Sequence, residues 1–245
     1  MNADLSLSIY FAGLFLLAIN VLLGILGKYK LNSILGFITL GTLLTGVSLV
    51  VVNTGHLPMS GTFEKMQNIA LVIVICGLIY ELINLKNDKK SFEFWIIALI
   101  FQAVALFDVL EADPYFYLYE NTWVALFFQF RLISMALIGF AISKYLSALR
   151  YTTGGKEKLS MFNIAGNFAL LGAIIFLCGE FSGSVWAQIG YGDAWRWSKN
   201  FFLSGGMFLL ALLVSHLNPA WLKNRNIQII LSLIPLVIIQ ILFLT

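Results

Sequence analysis

Long apolar runs separated by short polar segments make up nearly the whole chain of 245 residues. They cover 8–27, 31–53, 67–85, 91–111, 122–147, 160–182, 199–217 and 226–245. Each run is near the 20 or so residues that an α-helix needs to cross roughly 30 Å of hydrocarbon. The runs lack the alternation of barrel strands, and a helix satisfies its own backbone in lipid. The pattern predicts an all-α polytopic membrane protein, a bundle of about eight transmembrane helices.

The composition agrees with this class, because 60% of the residues are hydrophobic and only 11% are charged. The two cysteines, Cys76 and Cys178, fall in separate runs without CxxC spacing, which excludes a redox pair or a zinc site built on them. Basic residues are scattered among short loops, so we expect membrane lipids and no nucleic acid as surroundings. With no linker or internal repeat, we expect one integral membrane domain over 1–245.

The charges predict an orientation. Most of the 15 lysines and arginines follow the first, third, fifth and seventh runs, the placement typical of cytoplasmic loops. Both termini are then expected outside, together with the segments 54–66 and 183–198. Because Asp4 is the only charge before the first run, we interpret that run as a retained helix and not as a cleaved signal peptide.

The two outward segments carry residue types that the topology does not require. The first contains GHLPMSGTFEKM, with His56 ahead of Glu64, and it predicts a short interfacial helix with Ser60 as its N-cap. The second reads WAQIGYGDAWRWS and is dense in aromatic residues. Tryptophan and tyrosine are common at membrane interfaces, so simple anchoring is one interpretation. A platform for a flat apolar ligand is the other.

The order of these residues resembles the tryptophan-rich signature of the cytochrome c assembly family (CcsA/CcmC/ResC-like proteins), W-G-x-x-W-x-W-D in an outward loop. The corresponding residues are Tyr191, Gly192, Trp195, Trp197 and Ser198, preceded by Trp186. His216 is similar to a family histidine in the following helix. The first outward segment is similar to the family's H-x-P-L-S-x-x-Y-E, with His56, Pro58, Ser60, Phe63 and Glu64 in register.

The resemblance implies haem handling at the outer face of the bacterial cytoplasmic membrane during cytochrome c biogenesis. Aromatic rings of the signature would face a non-covalently bound b-type haem, and His216 and His56 would be its metal ligands. The resemblance also implies two partners, a ResB/CcsB-like membrane subunit and an apocytochrome c or multihaem cytochrome. The chain would then be a subunit of a cytochrome c haem lyase or synthase.

The chain departs from the family at several positions. It has only two histidines, and neither matches the outward ligands of haem-delivering members. Tyr191 replaces the first tryptophan of the signature, and Ser198 replaces its acidic end. These losses favour an alternative, a non-catalytic structural or regulatory subunit of HemX type.

Three residues keep two interpretations each. His216 either hydrogen-bonds within the protein or binds iron, and His56 is either solvated or a ligand. Arg131 lies about 13 Å into the fifth run, where an unpaired guanidinium is costly. Its partner is expected to be Asp108 or Glu180, or else a haem propionate.

Overall fold

The fold is all-α, as predicted. A computed structural model describes residues 3–59, 61–83, 91–108, 110, 120–150, 156–194, 199–217 and 224–244, and these ranges contain no strand. The helices are α1 (Ala3–Ile25), α2 (Tyr29–Thr54), α3 (Thr62–Ile83), α4 (Glu93–Val104), α5 (Thr122–Arg150), α6 (Lys156–Tyr191), α7 (Lys199–His216) and α8 (Arg225–Leu244).

Seven of these helices are long and apolar enough to cross a membrane, which indicates a multi-pass membrane protein. The exception is α4, whose 12 residues rise only about 18 Å. A 3-10 turn at Ala105–Phe107 continues it. The fourth predicted span, 91–111, therefore contains a helix, but this helix is shorter than the apolar run.

The chain divides into two compact units, and the first comprises Met1–Tyr119. Its four helices pack in sequence order, each against the next, and α4 also packs against α1. Glycines make the close contacts: a Cβ on Gly77 would lie 2.1 Å from Phe94, and one on Gly36 would lie 2.9 Å from Trp95. The two aromatic rings of α4 thus occupy the space that a larger side chain at position 36 of α2 or position 77 of α3 would need.

The second unit comprises Glu120–Thr245, and its helices α5 to α8 follow the same order of neighbours. A Cβ on Gly172 of α6 would lie 2.9 Å from Ile138 of α5, so the two helices approach closely there. The Ser134 hydroxyl donates to the Gly172 carbonyl at 2.7 Å. Such small and hydroxylated contacts are typical of helix association in lipid. The expected single domain over 1–245 stays a prediction.

Helix α6 is longer than its apolar run, since its 36 residues rise about 54 Å. A tilt of 40° would still leave it about 41 Å tall, more than the roughly 30 Å of hydrocarbon. We expected a loop over 183–198, but the helix continues to Tyr191. That expectation is wrong for 183–191.

The first outward segment also differs from the prediction. The described residues of this segment form no separate interfacial helix, because α3 begins at Thr62 and residues 62–66 belong to its start. Ser60, the predicted N-cap, lies outside the described residues. Glu64 is in the first turn as predicted. Gly55 caps the end of α2 directly after Thr54. Its φ of 75° suits glycine, and its N–H donates to the Val51 carbonyl at 2.9 Å.

Candidate functional site

The end of α6 carries the first residues of the aromatic signature. The rings of Trp186 and Tyr191 meet edge to face, with centroids 6.1 Å apart. Gly192 has a φ of 74°, and its N–H donates to the Gln188 carbonyl at 3.0 Å, which ends the helix. Tyr191 keeps 58% of its surface exposed. Trp195 and Trp197 lie outside the described residues.

Below this aromatic end, Arg131 of α5 forms an ion pair with Glu180 of α6. The guanidinium donates to one carboxylate oxygen of Glu180 twice, from Nε at 2.8 Å and from Nη2 at 2.5 Å. Nη2 also donates to the hydroxyl of Ser204 on α7. Three helices therefore meet at one charged contact. Of the two acidic partners expected for Arg131, Glu180 is confirmed, whereas Asp108 lies in the first unit.

The surroundings of Arg131 are aromatic and only partly shielded. Its guanidinium carbon lies 4.3 Å from the ring centroid of Phe127 and 5.4 Å from that of Phe176, which are cation–π distances. The side chains of Arg131 and Glu180 are 19% and 29% exposed within the protein. Glu180 precedes Trp186 by six residues, about 9 Å along α6. Along the same helix, Tyr191 follows Glu180 by eleven residues, or about 16 Å.

His216 is exposed at the far end of α7. Its Nδ1 donates to the Leu212 carbonyl at 2.8 Å and lies 3.1 Å from the Ser215 hydroxyl. In the neutral ring this makes Nε2 the unprotonated nitrogen, the form that binds metals. Helix α7 begins directly after the aromatic segment, so its 18 residues separate His216 from that end by about 26 Å.

His56 is buried in the first unit, with 6% of its surface exposed. It follows the end of α2, and its Nδ1 donates to the Leu57 carbonyl at 2.8 Å. The interpretation of His56 as a solvated histidine is therefore wrong. Nearby in the chain, the Glu64 carboxylate accepts the Met59 N–H at 3.0 Å. The segment after α2 is thus tied to the first turn of α3.

These positions decide how well the chain fits a haem. The aromatic end offers rings for a macrocycle and a guanidinium for a propionate, but its described residues include no imidazole. His216 lies too far along α7 to ligate iron in a ring stacked on Trp186 or Tyr191. Among the described residues no three His, Cys, Asp or Glu side chains cluster as a metal site would require. The described residues of this end therefore carry groups suited to a macrocycle and to a carboxylate, and no imidazole for an iron.

Ser204, the second hydrogen-bond partner of Arg131, was not predicted from the sequence. In the sequence, Ser204 is a single hydroxyl residue among the apolar residues of the seventh run. Many serines with a purely structural role have the same surroundings. The buried polar residues of the first unit, among them Gln67 and Gln102, were not predicted either. No protein-family model matches the chain, and no curated protein matches its sequence.

Proposed function

We propose that this multi-pass membrane protein handles haem at the outer face of a bacterial cytoplasmic membrane, in cytochrome c biogenesis. The observation that carries the proposal is that the aromatic pair at the end of α6 and a partly exposed arginine belong to the same unit. Flat rings and a guanidinium suit the two chemically distinct parts of a haem, its apolar face and its propionates. The charge distribution supports an orientation with both termini outside.

In this proposal Trp186 and Tyr191 contact the macrocycle, and Gly192 lets the chain turn beside it. Arg131 binds a propionate while it keeps Glu180, since a guanidinium has five N–H donors. Trp195 and Trp197, which lie outside the described residues, correspond to further tryptophans in the signature of the cytochrome c assembly family. When bound, the haem supplies the vinyl groups that are attached to cytochrome thiols. This chain holds and orients the ring and offers no nucleophile of its own.

The iron ligands at the aromatic end come from elsewhere in this proposal. A ResB/CcsB-like membrane subunit or the apocytochrome itself supplies an imidazole, because the described residues of that end have none. His216 and His56 belong to separate positions, and each has a backbone carbonyl that holds Nδ1–H and orients the ring. His216 suits a first contact with haem at the cytoplasmic end of a transfer route.

One observation favours a second candidate function, a non-catalytic structural or regulatory subunit of HemX type. His216 lies a whole helix away from the aromatic rings, and its hydrogen bond to Leu212 stays within its own helix. In that case the rings of Trp186 and Tyr191 anchor the protein in the headgroup region. Haem then has no specific place on the chain.

Visible spectra of the purified protein, oxidised and reduced, distinguish the two functions. We expect haem added to the wild type to give a saturable shift of its Soret band. The variants His216→Ala and His56→Ala test iron ligation separately, and Arg131→Lys tests the propionate contact with the charge retained. Haem handling predicts that at least one of these variants changes the spectrum or the affinity. If haem fails to bind, the HemX-type function replaces the first proposal.

A further inference from the structure

The interior of the first unit contains a polar layer formed by Tyr10, Gln67 and Gln102. Tyr10 and Gln102 have no exposed surface, and Gln67 has 2%. The Tyr10 hydroxyl donates to the backbone carbonyl of Gln102. The side-chain amide of Gln102 has no partner within the described residues at either its oxygen or its nitrogen, and the Gln67 oxygen has none either. Two amides are thus buried without satisfying their hydrogen bonds inside the chain.

The side-chain amides of Gln67 and Gln102 lie at a similar height along α1. A Cβ on Gly46 of α2 would lie 2.2 Å from Gln67 Nε2, and the same Cβ would lie 3.5 Å from Ile9 of α1. A Cβ on Gly13, one turn after Ile9, would lie 4.0 Å from Gln102 Nε2. The amides of α3 and α4 therefore meet α1 within a single turn. Glycines at these contacts leave the space that the amides need.

Elsewhere in the same unit a buried amide does have a partner. Asn20 of α1 donates from Nδ2 to the hydroxyl of Thr39 on α2 at 2.7 Å. The Asn20 oxygen has no partner within the described residues, and the equally buried Gln102 has none at either atom of its amide. Proteins leave very few buried polar groups unsatisfied, and internal molecules of water commonly complete the hydrogen bonds that the chain does not make.

We propose that the polar layer is a binding site for water, or for another small uncharged hydrogen-bonding molecule, inside the membrane-spanning part of the first unit. Amides and a phenol are neutral, so the layer suits a neutral occupant with both donor and acceptor atoms. Glu64 lies one turn from Gln67 on the same face of α3, and the Met59 N–H binds its carboxylate.

X-ray radiolytic labelling in ¹⁸O water tests the proposal, because hydroxyl radicals form at bound water and mark the side chains beside it. Tyr10 and Tyr145 are a matched pair, with 0% and 1% exposure, and Tyr145 lies in the second unit. We expect Tyr10 to be labelled several-fold faster than Tyr145 in the wild type. This comparison needs no variant, so it does not depend on a substituted protein folding.

The variant Gln102→Leu removes both unsatisfied atoms of that residue. We expect it to slow the labelling of Tyr10 to the rate of Tyr145 and to leave Tyr145 unchanged. Equal labelling of the two tyrosines in the wild type would overturn the proposal. So would labelling of Tyr10 that stays as fast in Gln102→Leu as in the wild type, because the water would then not depend on the Gln102 amide.

Discussion

The ion pair between Arg131 and Glu180 gives the sharpest quantitative prediction. Two N–H groups of the guanidinium share one carboxylate oxygen, at 2.8 and 2.5 Å. Replacing either residue with methionine keeps much of the side-chain volume and leaves the other charge in a membrane-spanning helix. The double variant removes both charges at once. The three variants therefore form a complete double-mutant cycle.

The magnitude follows from how far the pair is shielded. Breaking a fully buried pair by removing one partner costs about 3–5 kcal/mol, whereas an exposed pair contributes about 0.2–1 kcal/mol. The side chains are 19% and 29% exposed, between these limits. We expect Arg131→Met and Glu180→Met each to lower the free energy of unfolding by about 2–3 kcal/mol. The double variant should lose less than the sum, with a coupling of about 1–2 kcal/mol.

Reversible unfolding in mixed micelles, followed by far-UV circular dichroism, measures these free energies. Lys199→Met is a matched control, because it removes an exposed cation at the start of α7, outside the ion pair. Combined with Glu180→Met, it should be additive. If Arg131→Met and Glu180→Met are additive as well, within about 0.5 kcal/mol, the two side chains do not interact energetically and the reasoning fails.

Two further predictions concern packing and hydrogen bonding in the first unit. Gly77→Ala should destabilise by about 1–3 kcal/mol because its Cβ would overlap the ring of Phe94, while Gly41→Ala, with open space around it, should be neutral or stabilising by up to about 1 kcal/mol. Equal thermal stabilities of the two variants would contradict the packing. Thr39→Val should lower the free energy of unfolding by about 1 kcal/mol, because it removes one of the two acceptors of the Asn20 amide and leaves only the Leu16 carbonyl. An unchanged unfolding midpoint would show that this bond contributes nothing.

The sequence predicted the class of the fold well, because the membrane imposes a simple rule on backbone hydrogen bonds. Apolar runs of about 20 residues must be helices in lipid, and all eight runs contain one. Helix ends were predicted less well. Residues 183–191 include two glycines and few strong helix formers, so helix propensity gave no indication that α6 continues to Tyr191. Hydropathy marks the edge of the bilayer and not the end of the helix.

Packing was predictable only in part. Glycines in apolar runs, such as Gly36, Gly41 and Gly172, often sit at helix contacts, since small residues allow close approach. Gly36 and Gly172 do so, but nothing described lies within 4 Å of a Cβ on Gly41. Which face of a uniformly apolar helix meets a neighbour depends on the partner helices. The identity of a glycine therefore does not show whether it faces a neighbouring helix.

The same limit applies to the candidate site. The cost of a charge in lipid required a partner for Arg131, and Glu180 was one of two acids at a suitable depth. The separation of His216 from the aromatic rings followed from α7 being one continuous helix. Ser204 and the unpaired amide of Gln102 were not predictable, because a serine or glutamine in an apolar run has the same sequence signature whether it packs, caps or binds.

Binding of an iron-free porphyrin tests the central claim most directly, because it reports on the macrocycle and propionates without any axial ligand. We expect protoporphyrin fluorescence to shift on titration with the wild-type protein in detergent. The shift should weaken in Trp186→Ala and Tyr191→Ala and persist in His216→Ala, which lies about 26 Å away along α7. The account is contradicted if the porphyrin does not bind, or if removing either aromatic ring leaves its affinity unchanged.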